Sequence, residues 1–153
     1  MVGIPIKDWD VTAIKNMKQM FYAASAFNQD ISKWDVSAVT DTRSMFSGAS
    51  SFNQDLSKWD VSAVTDMSVL FSSASAFNQD LSKWDVSNVM GMGNMFHGAS
   101  AFNRELCGDA WVNSKAEKTN MFEDSPGSIL ETKCKKAKTG YDRYGERYGE
   151  VGG

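Results

Sequence analysis

Little in this sequence invites a chemical reading. Histidine occurs once and cysteine twice, with neither a Cys-x-x-Cys pair nor a Cys/His cluster, so a zinc centre has no ligand set. No phosphate loop, nucleotide fingerprint or paired catalytic carboxylates can be read, and no cofactor is implied. No run reaches the ~18 apolar residues of a membrane-spanning helix. The first residues, MVGIPIKDWD, lack the basic n-region and apolar h-region of a secretory signal. With 16 Lys and Arg against 19 Asp and Glu, the net charge of -3 gives no basic field to gather phosphates. That argues against nucleic acid as a partner. Leucine is scarce for a globular chain of 153 residues, whereas Phe (9), Met (9) and Trp (5) are plentiful.

Those apolar residues fall on a grid. Trp9, Trp34, Trp59 and Trp84 are spaced 25 apart, as are Phe21, Phe46, Phe71 and Phe96, and Phe27, Phe52, Phe77 and Phe102. Ile6, Ile31, Leu56, Leu81 and Leu106 keep the same register, and so do Val11, Val36, Val61 and Val86. A fixed period of this length means stacked supersecondary units, each too small to bury its apolar face alone. The repetition therefore predicts a solenoid with coils 6–30, 31–55, 56–80 and 81–105, a divergent C-terminal cap over 106–134 and an extended tail over 135–153.

Each unit reads as two halves. In LSKWDVS, the alternation of Trp59 and Val61 with Asp60 and Ser62 predicts a short strand with one buried face. In TDMSVLFSSA, Met67, Leu70, Phe71 and Ala74 follow i, i+3, i+4, i+7 and predict a short helix. Thr40 and Thr65 stand where N-caps belong, and Gly48 and Gly98 where such helices stop. The expected fold is α/β: a right-handed, leucine-rich-repeat-like solenoid with one short parallel strand and one short helix per coil. The spacing L-x-x-W-x-V copies the L-x-x-L-x-L core of leucine-rich repeats, with aromatics in the leucine places.

The string FNQDLSKWDVSNV, followed by spaced Met, Met-Phe and Ala-Ser, resembles the BspA-like repeats of mycoplasma-type surface lipoproteins and algal secreted proteins. The resemblance is close over residues 6–105 and loose over 106–134. It implies a leucine-rich-repeat-like solenoid in extracellular, cell-surface or other oxidising luminal use, and it names no substrate.

Stacking places equivalent residues about 4.8 Å apart, which lines up outward-facing columns. One holds Lys33, Lys58 and Lys83, with Asp8 at the first rung; a second holds Asp10, Asp35, Asp60 and Asp85; a third holds Thr12, Ser37, Ser62 and Ser87. A straight ladder of carboxylates offers too few converging oxygens for calcium. These columns read either as a solvated zwitterionic face or as a polar face for a partner. The mixed Lys and Asp also fit ice binding poorly. Asn28, Asn53, Asn78 and Asn103 precede the strands and suit hydrogen bonding along the stack. His97 replaces Tyr22, Ser47 and Ser72 of the other units, and no nucleophile or acid keeps its phase. An enzyme is the least supported class.

Beyond Leu106 the register slips: Trp111 follows by five residues instead of three, as suits a shielding terminal unit. Cys107 and Cys134 bracket this cap; they are either bridged, as the resemblance implies, or free thiols in a reducing compartment. The first unit opens directly at Ile4 to Ile6 and leaves its apolar end for another chain, or for upstream repeats, to cover. The tail is Lys-rich, then Tyr-Gly-charged. Tyr141, Tyr144 and Tyr148 are its natural anchors, onto a partner or onto its own domain. The sequence points to a non-catalytic protein-binding or scaffolding module, with a surface glycan as another possible ligand. The second reading is an accessory subunit of a large assembly, held by the open N-terminal end and the tail.

Overall fold

The computed structural model describes residues 3–132 and 134, together with the backbone of 140–141 and 147–148. Successive units lie side by side. Parallel backbone bridges run Asn16 to Asp41, Asp41 to Asp66, Asp66 to Gly91 and Gly91 to Glu117. Segments 25 or 26 residues apart are thus neighbours at one place on the surface.

These bridges fall in the half that the periodicity assigns to a helix, and no helix forms there. In the first unit the N–H groups of Met17, Gln19, Phe21 and Ala23 donate to the carbonyls of Asp41, Arg43, Met45 and Ser47, at 2.7 to 3.0 Å. The intervening Met20, Tyr22 and Ala24 donate three residues back along their own chain. The pattern repeats in each later unit. A regular α-helix would commit every interior N–H to its own chain and leave none for the next unit. Chain-internal and inter-unit bonds alternate instead, and the backbone is re-aimed through left-handed residues every fourth position. Gln19 (φ 60) and Ala23 (φ 55) do this in the first unit, Ser44 (φ 54) and Gly48 (φ 72) in the second. Thr40 and Thr65, expected as N-caps, donate both N–H and Oγ1 to the carbonyls of Lys15 and Thr40 one unit away.

The half expected as a strand is also different. Over 31–37, 56–62 and 81–87 no backbone hydrogen bond crosses to a neighbouring unit; Trp34, Trp59 and Trp84 N–H groups bond three residues back. The cause is local. Asp60 Oδ1 accepts from both the N–H and the Oγ of Ser62, closing a turn that curls the chain out of extended geometry. The stitch between units is made by side chains: Nε1–H of Trp34, Trp59 and Trp84 donates to the carbonyls of Ile6, Ile31 and Leu56, at 2.9 to 3.1 Å.

Burial nonetheless follows the sequence. Trp59 and Val61 are buried and Asp60 exposed; Met67, Leu70, Phe71 and Ala74 are all buried. Between the halves runs a continuous aromatic column. Phe21, Phe46, Phe71, Phe96 and Phe122 stack at 5.5 Å from unit to unit, and Phe27, Phe52, Phe77 and Phe102 at 5.7 to 6.0 Å beside them. All nine phenylalanines are engaged, and the rings stay offset and near parallel, a favourable aromatic geometry.

Apart from a 3-10 turn at Ile6–Asp8, the regular elements among the described residues lie at the C-terminal end. Strand β1 (Glu105–Leu106) pairs in parallel with β2 (Ser128–Ile129), with helix α1 (Asp109–Val112) between them. The slipped register is absorbed by α1: Trp111 is buried and its Nε1 still donates to Leu81 O at 2.9 Å. Gly127 lets the cap backbone pass the column, since a Cβ there would lie 2.5 Å from the Phe102 ring. In the tail, β3 (Gly140–Tyr141) pairs antiparallel with β4 (Arg147–Tyr148). Tyr141 and Tyr148 fall on these strands, and Tyr144 lies outside the described residues.

Candidate functional site

The Trp half of each unit turns its polar residues outward. Lys33, Lys58, Lys83, Asp35, Asp60, Asp85, Ser37 and Ser87 are exposed, and Ser62 is half-buried. The face is more constrained than a solvated surface. Asp35, Asp60 and Asp85 each accept two bonds, from the N–H and the Oγ of the serine two residues on. Asp10 does the same with Thr12. The Ser37 hydroxyl and N–H hold the Asp35 carboxyl below the usual carboxylate range, against desolvation and the like charge of Asp10. Ser62 does likewise for Asp60, against Asp35. Asp35 and Asp60 therefore stay charged and fixed while their neighbours in the column repel them.

At its foot, a second set of turns uses Asp30, Asp55 and Asp80, whose Oδ1 atoms accept from the N–H of Ser32, Ser57 and Ser82. The asparagine ladder is structural: Asn28, Asn53 and Asn78 each present Oδ1 to the backbone N–H of the next rung at 2.9 to 3.0 Å. Among the described residues no group of three or more His, Cys, Asp or Glu side chains could hold a metal ion. His97 lies 3.6 Å from Glu123, and Arg43 forms ion pairs with Asp41 and Asp66 on the opposite half.

The face ends in a cleft of about 590 Å³ where the last regular unit meets α1. Of the sequence-predicted residues it gathers only Asp85 and Ser87; Lys33, Asp35, Ser37, Lys58, Asp60, Ser62 and Lys83 lie outside it. Its other walls, Met90, Asp109, Asn113 and Lys115, were not singled out from sequence. Two signals for them existed. Met90 is an apolar residue, 72% exposed, in a column otherwise made of Lys15, Thr40 and Thr65. The displacement of Trp111 also marks a local departure from the repeat, which is what opens a concavity.

Cys107 and Cys134 form a disulfide with a Cα–Cα distance of 4.8 Å, tying β1 to the segment after β2. On the chain-entropy account a loop of this length contributes about 3.5 kcal/mol. The bridge is compatible with an oxidising environment. No helix among the described residues is long and apolar enough to cross a membrane.

No curated protein and no solved structure matches the chain. A family model does, over residues 2–111, a span that runs through all the regular units to Trp111. The chain belongs to the family described as "Mycoplasma protein of unknown function, DUF285".

Proposed function

We propose that the chain is a non-catalytic protein-binding or scaffolding module working outside the cytosol, at a cell surface or in a secretory space. Its architecture, in this reading, is a right-handed solenoid of the BspA-like, leucine-rich-repeat kind, in which turn ladders replace the usual strand and helix. One observation carries the functional reading. A row of alternating Lys, Asp and Ser is held at fixed spacing, each aspartate of the row locked by a hydroxyl, and leads into a cleft of about 590 Å³. Side chains ordered before a partner arrives lose less entropy on binding, so such a face binds more tightly than a mobile one. Every prominent carboxylate has copies in neighbouring units, which suits repeated contact with an extended partner and not a single reaction centre.

The test keeps the turns intact. Lys33→Glu/Lys58→Glu/Lys83→Glu changes the charge of the row without touching the aspartate turns, and Met90→Lys changes the cleft alone. Binding is measured against extracellular protein and glycan panels. Loss of the dominant ligand in either variant, with an unchanged melting temperature, supports the reading; retention in both removes it. Glycan hits without protein hits would make the ligand a surface sugar.

A second reading, an accessory subunit held by its N-terminal end, draws on one observation: Ile4, Trp9 and Tyr22 of the first unit are all strongly exposed.

A further inference from the structure

The two ends of the described stack carry complementary rows of unpaired backbone groups. Within the stack, the N–H groups of one unit donate to the carbonyls of the next. The first unit therefore has acceptors that receive nothing: among the described residues the carbonyls of Asn16, Lys18, Met20 and Tyr22 have no partner, although Asp41, Arg43, Met45 and Ser47, one unit on, are all paired. The last unit has the mirror deficit. The N–H groups of Met92, Asn94, Phe96 and Gly98 are bonded to the cap, but those of Lys118, Asn120, Phe122 and Asp124 in the cap donate to no described residue. Four acceptors at one end thus match four donors at the other, in the register that the interior interfaces already use.

The apolar surface agrees. Phe21 is 8% exposed where Phe46, Phe71 and Phe96 are fully buried, and Ile14, Met20 and Phe27 are half-buried where their later counterparts are sealed. Trp9 is 49% exposed and donates to Ile4 of its own segment, where Trp34, Trp59 and Trp84 reach the neighbouring unit. At the other end Phe122, the last ring of the column, is also half-buried. Rings in this column stack at 5.5 Å, and Phe122 of one copy meeting Phe21 of another would continue it.

We propose that a second copy of this chain occupies the N-terminal face, head to tail, with Lys118, Asn120, Phe122 and Asp124 N–H groups donating to Asn16, Lys18, Met20 and Tyr22 carbonyls. The contact is heterologous: each copy uses one surface to give and a different one to receive. A heterologous contact makes a ring only where its rotation closes; one that continues the register of the stack extends it as an open series of copies and not a discrete dimer.

Sedimentation velocity on the full chain tests this across a concentration series. The expected result is an average mass that keeps rising with concentration. An N-face variant, Met20→Lys/Tyr22→Lys, and a C-face variant, Phe122→Lys/Asp124→Lys, should each sediment as monomers. Mixing the two should give a 1:1 complex and nothing larger, because one intact interface remains between them. A second measurement does not depend on how well those variants fold. Copies with Tyr22→Cys mixed with copies with Asp124→Cys should cross-link to each other in excess over cross-linking within either population. A wild-type chain that stays monomeric to millimolar concentration overturns the proposal. So does a closed dimer that the C-face variant leaves untouched, or cross-linking no better than random.

Discussion

The two halves of each repeat hold to their neighbours by different chemistry. In the Met–Phe half, backbone groups bond across units, and the bridging positions tolerate Asn16, Asp41, Asp66, Gly91 and Glu117 alike. In the Trp half no backbone bond crosses between the regular units; side chains do the stitching, one indole in each of the second to fourth units and Asn88 Nδ2 to the Ser62 carbonyl. A backbone stitch is indifferent to the side chain that carries it, whereas a side-chain stitch is lost with a single substitution. This explains why Trp9, Trp34, Trp59 and Trp84 repeat without variation while the bridge column drifts.

Four experiments would break or sharpen that contrast. The largest effect is expected where the halves meet. Phe71→Ala removes a fully buried ring from the middle of the column and should destabilise by about 3–5 kcal/mol in chemical denaturation. A loss below about 1 kcal/mol would mean that the column is not the energetic centre.

Next comes the stitch itself. Trp59→Phe keeps most of the apolar volume but removes the indole bond to the Ile31 carbonyl, which keeps only the Trp34 N–H, at a cost of about 0.5–1.5 kcal/mol. Ser68→Ala, beside the backbone ladder, should change stability by no more than about 0.5 kcal/mol. Equal effects in the two variants would erase the distinction between the halves.

The third test concerns the backbone of the Met–Phe half. Ser73 sits at φ 56, where the equivalent residues of two other units are Gly48 and Gly98. Ser73→Gly should therefore stabilise by up to about 1 kcal/mol, and Gly48→Ala should destabilise by a similar amount. Melting curves of the pair would show opposite shifts if left-handed geometry is what the column demands.

The smallest effect belongs to pH. Asp35 and Asp60 have folded-state pKa values below their unfolded values, so their contribution is present above about pH 4. It is lost as the pH falls through the folded-state values. Ser37→Ala/Ser62→Ala should make the loss of stability between pH 5 and about pH 2.5 shallower than in the parent. Identical slopes in urea titrations would show that the hydroxyls do not hold these carboxylates.

How much could be read beforehand differs by level. The unit length, the aromatic columns and the buried side of every segment were legible, because burial needs only a period and Met67, Leu70, Phe71 and Ala74 display one. The exposure of the Lys and Asp columns followed from the same period. The cleft was not foreseen: Asp109, Asn113 and Lys115 lie in the cap, where no second copy of the pattern exists to reveal their phase. The helix and the strand differ from expectation for separate reasons: the Asp60–Ser62 turn curls the alternating half, and the other half carries a pattern that fits two structures. An i, i+3, i+4, i+7 stripe buries the same atoms whether the chain bonds to itself or alternates between itself and a neighbour.

The sequence by itself determined the register of the repeat and which atoms leave water, since hydrophobic burial depends on side-chain spacing along one segment. Where each backbone N–H finds its acceptor was decided only by the tertiary structure. For Met17 or Phe21 the choice between its own turn and the next unit depends on a carbonyl some 25 residues away, and that carbonyl becomes a neighbour only after the units have stacked.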